Sequence, residues 1–112
     1  MTRTPSELEP WTLEHGMMVR RHGAGPEILW IHGLGEWSLS FDPLATHPAF
    51  AGFTHVLPDL PGYGRSPRPD APEDLERLAD RLAAWIVATG GSTGGSASDR
   101  RPALIGHSMG GA

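Results

Sequence analysis

Three short, mainly apolar runs, each cut off by a glycine or proline stop, constrain this chain more than anything else in it. Ile28-Leu29-Trp30-Ile31 halts at His32-Gly33, Thr54-His55-Val56-Leu57 halts at Pro58-Asp59, and Ala103-Leu104-Ile105 halts at Gly106. Runs of this length bounded by turn formers suit strands buried on both faces, as in a parallel sheet. Three of them, each opening into a loop, form an α/β pattern. With 112 residues the chain has the length of one domain, enough to bury roughly 65% of its unfolded surface if it closes into a unit.

The rest of the chain fills in around these runs. Residues 1–10, with Pro5 and Pro10, read as a tail. Residues 11–14 and 17–20 are strand candidates parted by His15-Gly16, which predicts a β-hairpin, and 22–26 reads as the following turn. Asp42 is placed to cap a short helix with Pro43 at its first position, and Pro48 limits that helix to little more than a turn. The stronger helix runs from Pro72 to Thr89. Leu75, Leu78, Ala79, Leu82, Trp85 and Ile86 share one face, Glu73 and Asp74 sit in the first turn, and Glu73 lies four residues before Arg77. That face predicts packing on a sheet. Residues 90–102 are dominated by glycine and serine and read as a flexible connection within a single domain spanning 11–112.

Composition excludes several functions. The formal charge of -4, with 9 basic residues that are all arginine, argues against a nucleic-acid partner. Without cysteine there is no disulfide, thiolate nucleophile or cysteine-bound metal; without lysine there is no Walker A loop or Schiff base. Nor does histidine and acid spacing suggest a metal site. No apolar run reaches the ~20 residues needed to span a bilayer, and residues 1–14 lack a signal-peptide core. The expectation is a cytoplasmic protein with no cofactor, metal or membrane partner.

Chemistry concentrates in three loops. Gly106-His107-Ser108-Met109-Gly110 fits G-x-S-x-G directly after a predicted strand and where a helix should begin. In such an elbow the serine occupies a strained strand-to-helix turn that lifts its hydroxyl clear of the sheet. Gly106 and Gly110 leave room for it, and the Met109 amide points toward the space where an oxyanion would form. His32-Gly33-Leu34-Gly35 follows the first run, and a loop of this kind supplies a second oxyanion amide, here that of Leu34. Pro58-Asp59-Leu60-Pro61-Gly62-Tyr63-Gly64-Arg65-Ser66 follows the second run.

In this order the three segments resemble the N-terminal part of an α/β-hydrolase fold protein, over residues 11 to 112. The resemblance implies a twisted, mostly parallel sheet opened by an antiparallel hairpin, an incomplete α/β-hydrolase fold. It implies Ser108 as nucleophile, the backbone amides of Leu34 and Met109 as the oxyanion hole, and His32, Gly33, Gly106 and Gly110 as loop support. The implied function is a serine hydrolase cleaving an ester or related acyl bond of a small-molecule substrate. Serine at 108 disfavours the branches that use an aspartate nucleophile, the haloalkane dehalogenases and epoxide hydrolases. Acyltransferase, C–C bond hydrolase and cofactor-free haloperoxidase chemistry share the elbow and stay open.

The family's acid and histidine follow the nucleophile, and the 112 residues contain neither in that position. The expectation is therefore that this chain by itself is inactive, and its other class of reading is a non-catalytic truncated or interaction protein. His107 neighbours Ser108 across a turn whose side chains diverge, so it is not expected to act as base. His15, His22, His47 and His55 are expected in structural or solvated roles. Asp59 is expected to satisfy loop amides, with Arg65 pairing nearby. Trp37 and Phe41 are placed to line an acyl pocket or to pack beneath the loop. With nothing after Ser108 to cover it, residues 103–105 should form an exposed apolar sheet edge and one sheet face should lack its helix.

Overall fold

The computed structural model describes residues 10–33, 35–70, 73–89 and 102–111. Strands β1 (Thr12–Glu14) and β2 (Met17–Gly23) form the predicted hairpin, with Glu14 opposite Met17. Its two turn residues, His15 and Gly16, lie at φ 50° and 78°. Positive φ at both positions is the backbone twist that two-residue hairpin loops favour. Residues 22 and 23, expected in the following turn, instead extend β2, because His22 and Gly23 pair with His55 and Thr54.

Strands β3 (Glu27–Ile31), β4 (Thr54–Asp59) and β5 (Ala103–Gly106) are the three apolar runs. The sheet order is β1-β2-β4-β3-β5. Its β3–β4 and β3–β5 pairs are parallel, while β2 runs antiparallel to β4. The result is the mixed, open sheet that the resemblance to an incomplete α/β-hydrolase fold implies.

Alternation along β3 divides the core in two. Leu29 and Ile31 join Met17, Val19, Val56, Leu60 and Trp85 on one face, where Leu78, Leu82 and Ile86 of helix α2 (Leu75–Ala88) pack over them. Ile28 and Trp30 join Leu57, Phe41 and Ala45 on the other, with Phe50 and Phe53 against them. That second layer comes from the β3–β4 connection: a 3₁₀ turn at Ser38–Phe41, the one-turn helix α1 (Asp42–Ala45) and another 3₁₀ turn at Pro48–Phe50. Trp30 anchors it, with Phe41 at 5.2 Å and its indole N–H donating to His55 Nδ1 at 3.0 Å. The expected bare sheet face is thus corrected: at β3 and β4 both faces are covered.

The exposed edge is present. All four residues of β5 are exposed, Leu104 at 61%. So the third run is not a buried strand here, since among the described residues only β3 flanks it.

Local chemistry shifts two other boundaries. Asp74 does not sit in the first turn of α2 but caps it, its carboxylate accepting from the Arg77 amide at 2.8 Å. Glu73 lies ahead of the helix and pairs with Arg81 rather than Arg77. Asp42 occupies the first position of α1, not its cap, and binds the buried Arg20 at 2.8 Å. Pro72, most of the 1–10 tail and most of the 90–102 connection lie outside the described residues.

Candidate functional site

The site forms where β3 and β5 end side by side. Ile31 and Gly106 are partners in the register, and the His107 amide extends the ladder by donating to the Ile31 carbonyl at 3.1 Å. The loop after β3 and the turn after β5 therefore leave the sheet together.

Ser108 stands at φ 56°, a left-handed backbone that costs a side-chain-bearing residue on the order of 1–3 kcal/mol. The residue is exposed, and it opens a single 3₁₀ turn, Ser108–Gly111, closed by the Gly110 amide donating to His107 O at 2.9 Å. Sterics explain the flanking glycines. A Cβ at Gly106 would lie 2.2 Å from Gly110 O, and one at Gly110 would lie 2.2 Å from Ile31 O. The turn can pack this closely against β3 only with bare backbone at both places.

Gly33 approaches from the other loop. A Cβ there would lie 2.9 Å from both Ser108 Cβ and His107 O. The Gly33 amide donates to Glu36 Oε1 at 2.9 Å, and the same carboxylate oxygen meets His107 Nδ1 at 2.8 Å. The His107 ring, and after it the Gly33 amide, hold the Glu36 carboxyl below the usual carboxylate range. Sequence reasoning passed over Glu36. Its signal was local: a carboxylate three residues beyond a glycine amide, able to cap the turn it belongs to.

His32 is fully buried. Its Nε2 accepts from the Leu60 amide at 2.9 Å, so Nδ1 carries the proton and donates to Gly33 O at 2.9 Å. Both nitrogens are committed, and the ring ties the loop after β3 to the end of β4.

Asp59 does what its position predicted, accepting from the Ser38 amide at 2.7 Å and the Arg65 amide at 2.9 Å. The Arg65 guanidinium does not pair with it; it lies 4.5 Å from the centre of the Trp11 ring. Phe41 is buried in the core, while Trp37 is partly exposed. The remaining histidines lie elsewhere: His15 in the hairpin turn, His22 stacked on His55, and His47 capping the turn at Pro48–Phe50. Leu34 lies outside the described residues, whereas the Met109 backbone belongs to the turn at Ser108. Among the described residues no group of three or more histidine or acidic side chains is placed to hold a metal ion, and no helix is long and apolar enough to cross a membrane.

A model of the alpha/beta hydrolase family matches residues 28–112, from β3 through the serine turn. The chain belongs to that family. An uncharacterised Mycobacterium tuberculosis protein is 34% identical over 97% of this chain, which spans 31% of that relative. A (lyso)-N-acylphosphatidylethanolamine lipase of Bos taurus is 32% identical over 96% of the chain, which spans 29% of it. Among solved structures, an epoxide hydrolase from Vigna radiata superimposes with a TM-score of 0.69 at 28% identity, covering 91% of this chain and 30% of the other. The chain thus spans less than a third of the length of these relatives. The hydrolases among them support a hydrolase at the level of the family.

Proposed function

We propose that Ser108 is the nucleophile of a hydrolase that cleaves an ester or related acyl bond in a small-molecule substrate. The observation that carries this reading is the backbone of Ser108: a non-glycine residue at φ 56°, exposed, at the end of a parallel strand, with Gly33 packed against it. Strain of this kind at a strand-to-turn junction is the signature of an activated serine elbow. In the proposed reaction the Ser108 hydroxyl attacks the acyl carbonyl and forms a tetrahedral oxyanion. The amides of Met109 and Leu34 stabilise it, each such donor contributing about 10²- to 10³-fold in rate. Serine at 108 favours this chemistry over the aspartate-dependent epoxide hydrolysis of a structural relative.

Proton transfer is the part these 112 residues do not supply by themselves. Both His32 nitrogens are occupied, and among the described residues no histidine nitrogen is hydrogen-bonded to Ser108. A serine without its base retains only about 10³- to 10⁴-fold catalysis over water, and that remnant needs a formed pocket. This polypeptide alone therefore should not turn over.

The test is fluorophosphonate labelling followed by intact-mass analysis. The reading expects one adduct at Ser108, absent in Ser108→Ala. No adduct on a folded protein that includes a downstream acid and histidine would reject the nucleophile. Saturable esterase activity of the 112-residue chain, abolished by Ser108→Ala, would reject the statement about turnover.

A further inference from the structure

Glu36 joins two loops that the catalytic reading requires to stay in register, yet it touches no atom that would react. Its Oε1 accepts from the Gly33 amide at 2.9 Å on one side and faces His107 Nδ1 at 2.8 Å on the other. Its own amide donates back to Gly33 O at 3.2 Å, closing the turn into a two-way clasp. His107 lies next to Ser108 in sequence, and its backbone amide is bonded to Ile31 O. Among the described residues the carboxylate is thus the side-chain link between the loop after β3 and the serine turn, across a gap already so close that Gly33 has no room for a side chain. The His107 ring faces it from the serine turn.

We propose that Glu36 is a positioning residue, which clasps Gly33 to the serine turn through His107 and so sets the spacing between the loop after β3 and Ser108. This inference rests on Ser108 being the nucleophile. Its physical basis is that reacting groups lose rate steeply with displacement, about 100-fold for a misplacement of 1 Å. A charge-assisted bond from a carboxylate to two donors restrains such a displacement better than a neutral contact does.

The experiment compares wild type, Glu36→Ala, Glu36→Gln and His107→Ala in a folded protein that includes a downstream acid and histidine. Two quantities are followed: amide hydrogen exchange by NMR, and fluorophosphonate capture at Ser108 over a range of probe concentrations. Glu36→Ala should speed exchange at Gly33 roughly fivefold, the scale of one lost hydrogen bond. It should also lower the maximal capture rate about tenfold while leaving the half-saturating probe concentration unchanged. Glu36→Gln keeps an acceptor for Gly33 and should restore its protection. His107→Ala, at an exposed position, leaves the Gly33 bond intact and should still slow capture, because the link to the serine turn is gone.

Unchanged Gly33 exchange in Glu36→Ala overturns the proposal. So does wild-type capture in both Glu36→Ala and His107→Ala. If wild-type Ser108 takes no probe, the nucleophile reading fails separately, and the clasp is judged by the amide resonances. A Ser108 amide shift that does not move in Glu36→Ala then overturns it.

Discussion

At the scale of single residues, the serine turn is governed by exclusion. Gly110 sits so close to β3 that any Cβ would press on the Ile31 and His32 carbonyl oxygens, at 2.2 and 2.6 Å. These are rigid backbone atoms, so Gly110→Ala must push the turn off the sheet. We expect a loss of roughly 2–4 kcal/mol, in the range of overpacked and strained sites. Gly52 is the internal control, because a Cβ there meets nothing within 4 Å and its φ is not positive. Gly52→Ala should be neutral or slightly stabilising. Urea unfolding of the two variants checks the contrast, and equal midpoints would contradict it. A second residue-scale prediction concerns His55, whose Nδ1 accepts the Trp30 indole N–H in the core while Nε2 donates to Phe50 O. His55→Leu strands the buried indole donor and should cost about 1–3 kcal/mol; tryptophan fluorescence gives the unfolding midpoint. The motifs around Ser108 were legible in the sequence because glycine spacing reports backbone contact directly. Glu36 was not, since a lone glutamate in a loop looks the same whether it faces water or holds two donors.

At the scale of elements, a charged junction ties α2 to the hairpin. Glu14 at the end of β1 receives both terminal nitrogens of Arg21, at 2.5 and 2.9 Å, and the Trp85 indole N–H at 2.9 Å. Arg81, one turn earlier on the helix, donates to the His15 carbonyl at 2.8 Å. The Arg21 hydrogen bonds hold Glu14 down to about 2, with Thr12 and Trp85 adding to the effect against the opposing cost of burial. A carboxylate whose folded pKa is depressed stabilises the fold above its unfolded value and loses that contribution as pH falls through the folded one. Stability should therefore decline between about pH 4.5 and pH 2 through this group. The pair is partly solvated, so screening reduces its contribution to roughly 1 kcal/mol. Glu14→Gln should remove about that much at pH 7 and flatten the acid limb, checked by urea midpoints at pH 7, 4 and 2.5. A mutant with the wild-type acid profile would exclude Glu14 as the source. Here the sequence predicted the elements better than their joints. The helix was visible from its apolar face, but its start depends on whether Asp74 or Pro72 supplies the first constraint. Likewise, β2 runs on through Gly23 because β4 lies alongside, a partner that no local pattern announces.

At the scale of the whole molecule, the two outer strands of the sheet among the described residues are β1 and β5. At the β1 end, the edge is only three residues long, with Leu13 65% exposed between Thr12 and Glu14, and its shortness discourages pairing between molecules. At the β5 end, Leu104 and Ile105 are 61% and 36% exposed on a strand with no partner beyond it among the described residues. Parallel strands of this kind normally lie covered, and the two core layers over β3 and β4 do not extend to β5. The three apolar runs foretold this edge, because the third run is as hydrophobic as a central strand. What they could not foretell is that the β3–β4 connection would cover the second face, since its packing depends on Phe41, Ala45 and Phe50 meeting Trp30 across the sheet. The expected consequence is concentration-dependent association of the 112-residue chain through β5. Sedimentation of the 112-residue chain at micromolar concentrations should show species larger than a monomer. Leu104→Lys, which places a charge on the exposed edge without entering either core layer, should shift the distribution toward monomer. A sharp two-state melt of a wild-type monomer, unaffected by Leu104→Lys, would mean that the open edge is tolerated and that the β5 strand does not drive association.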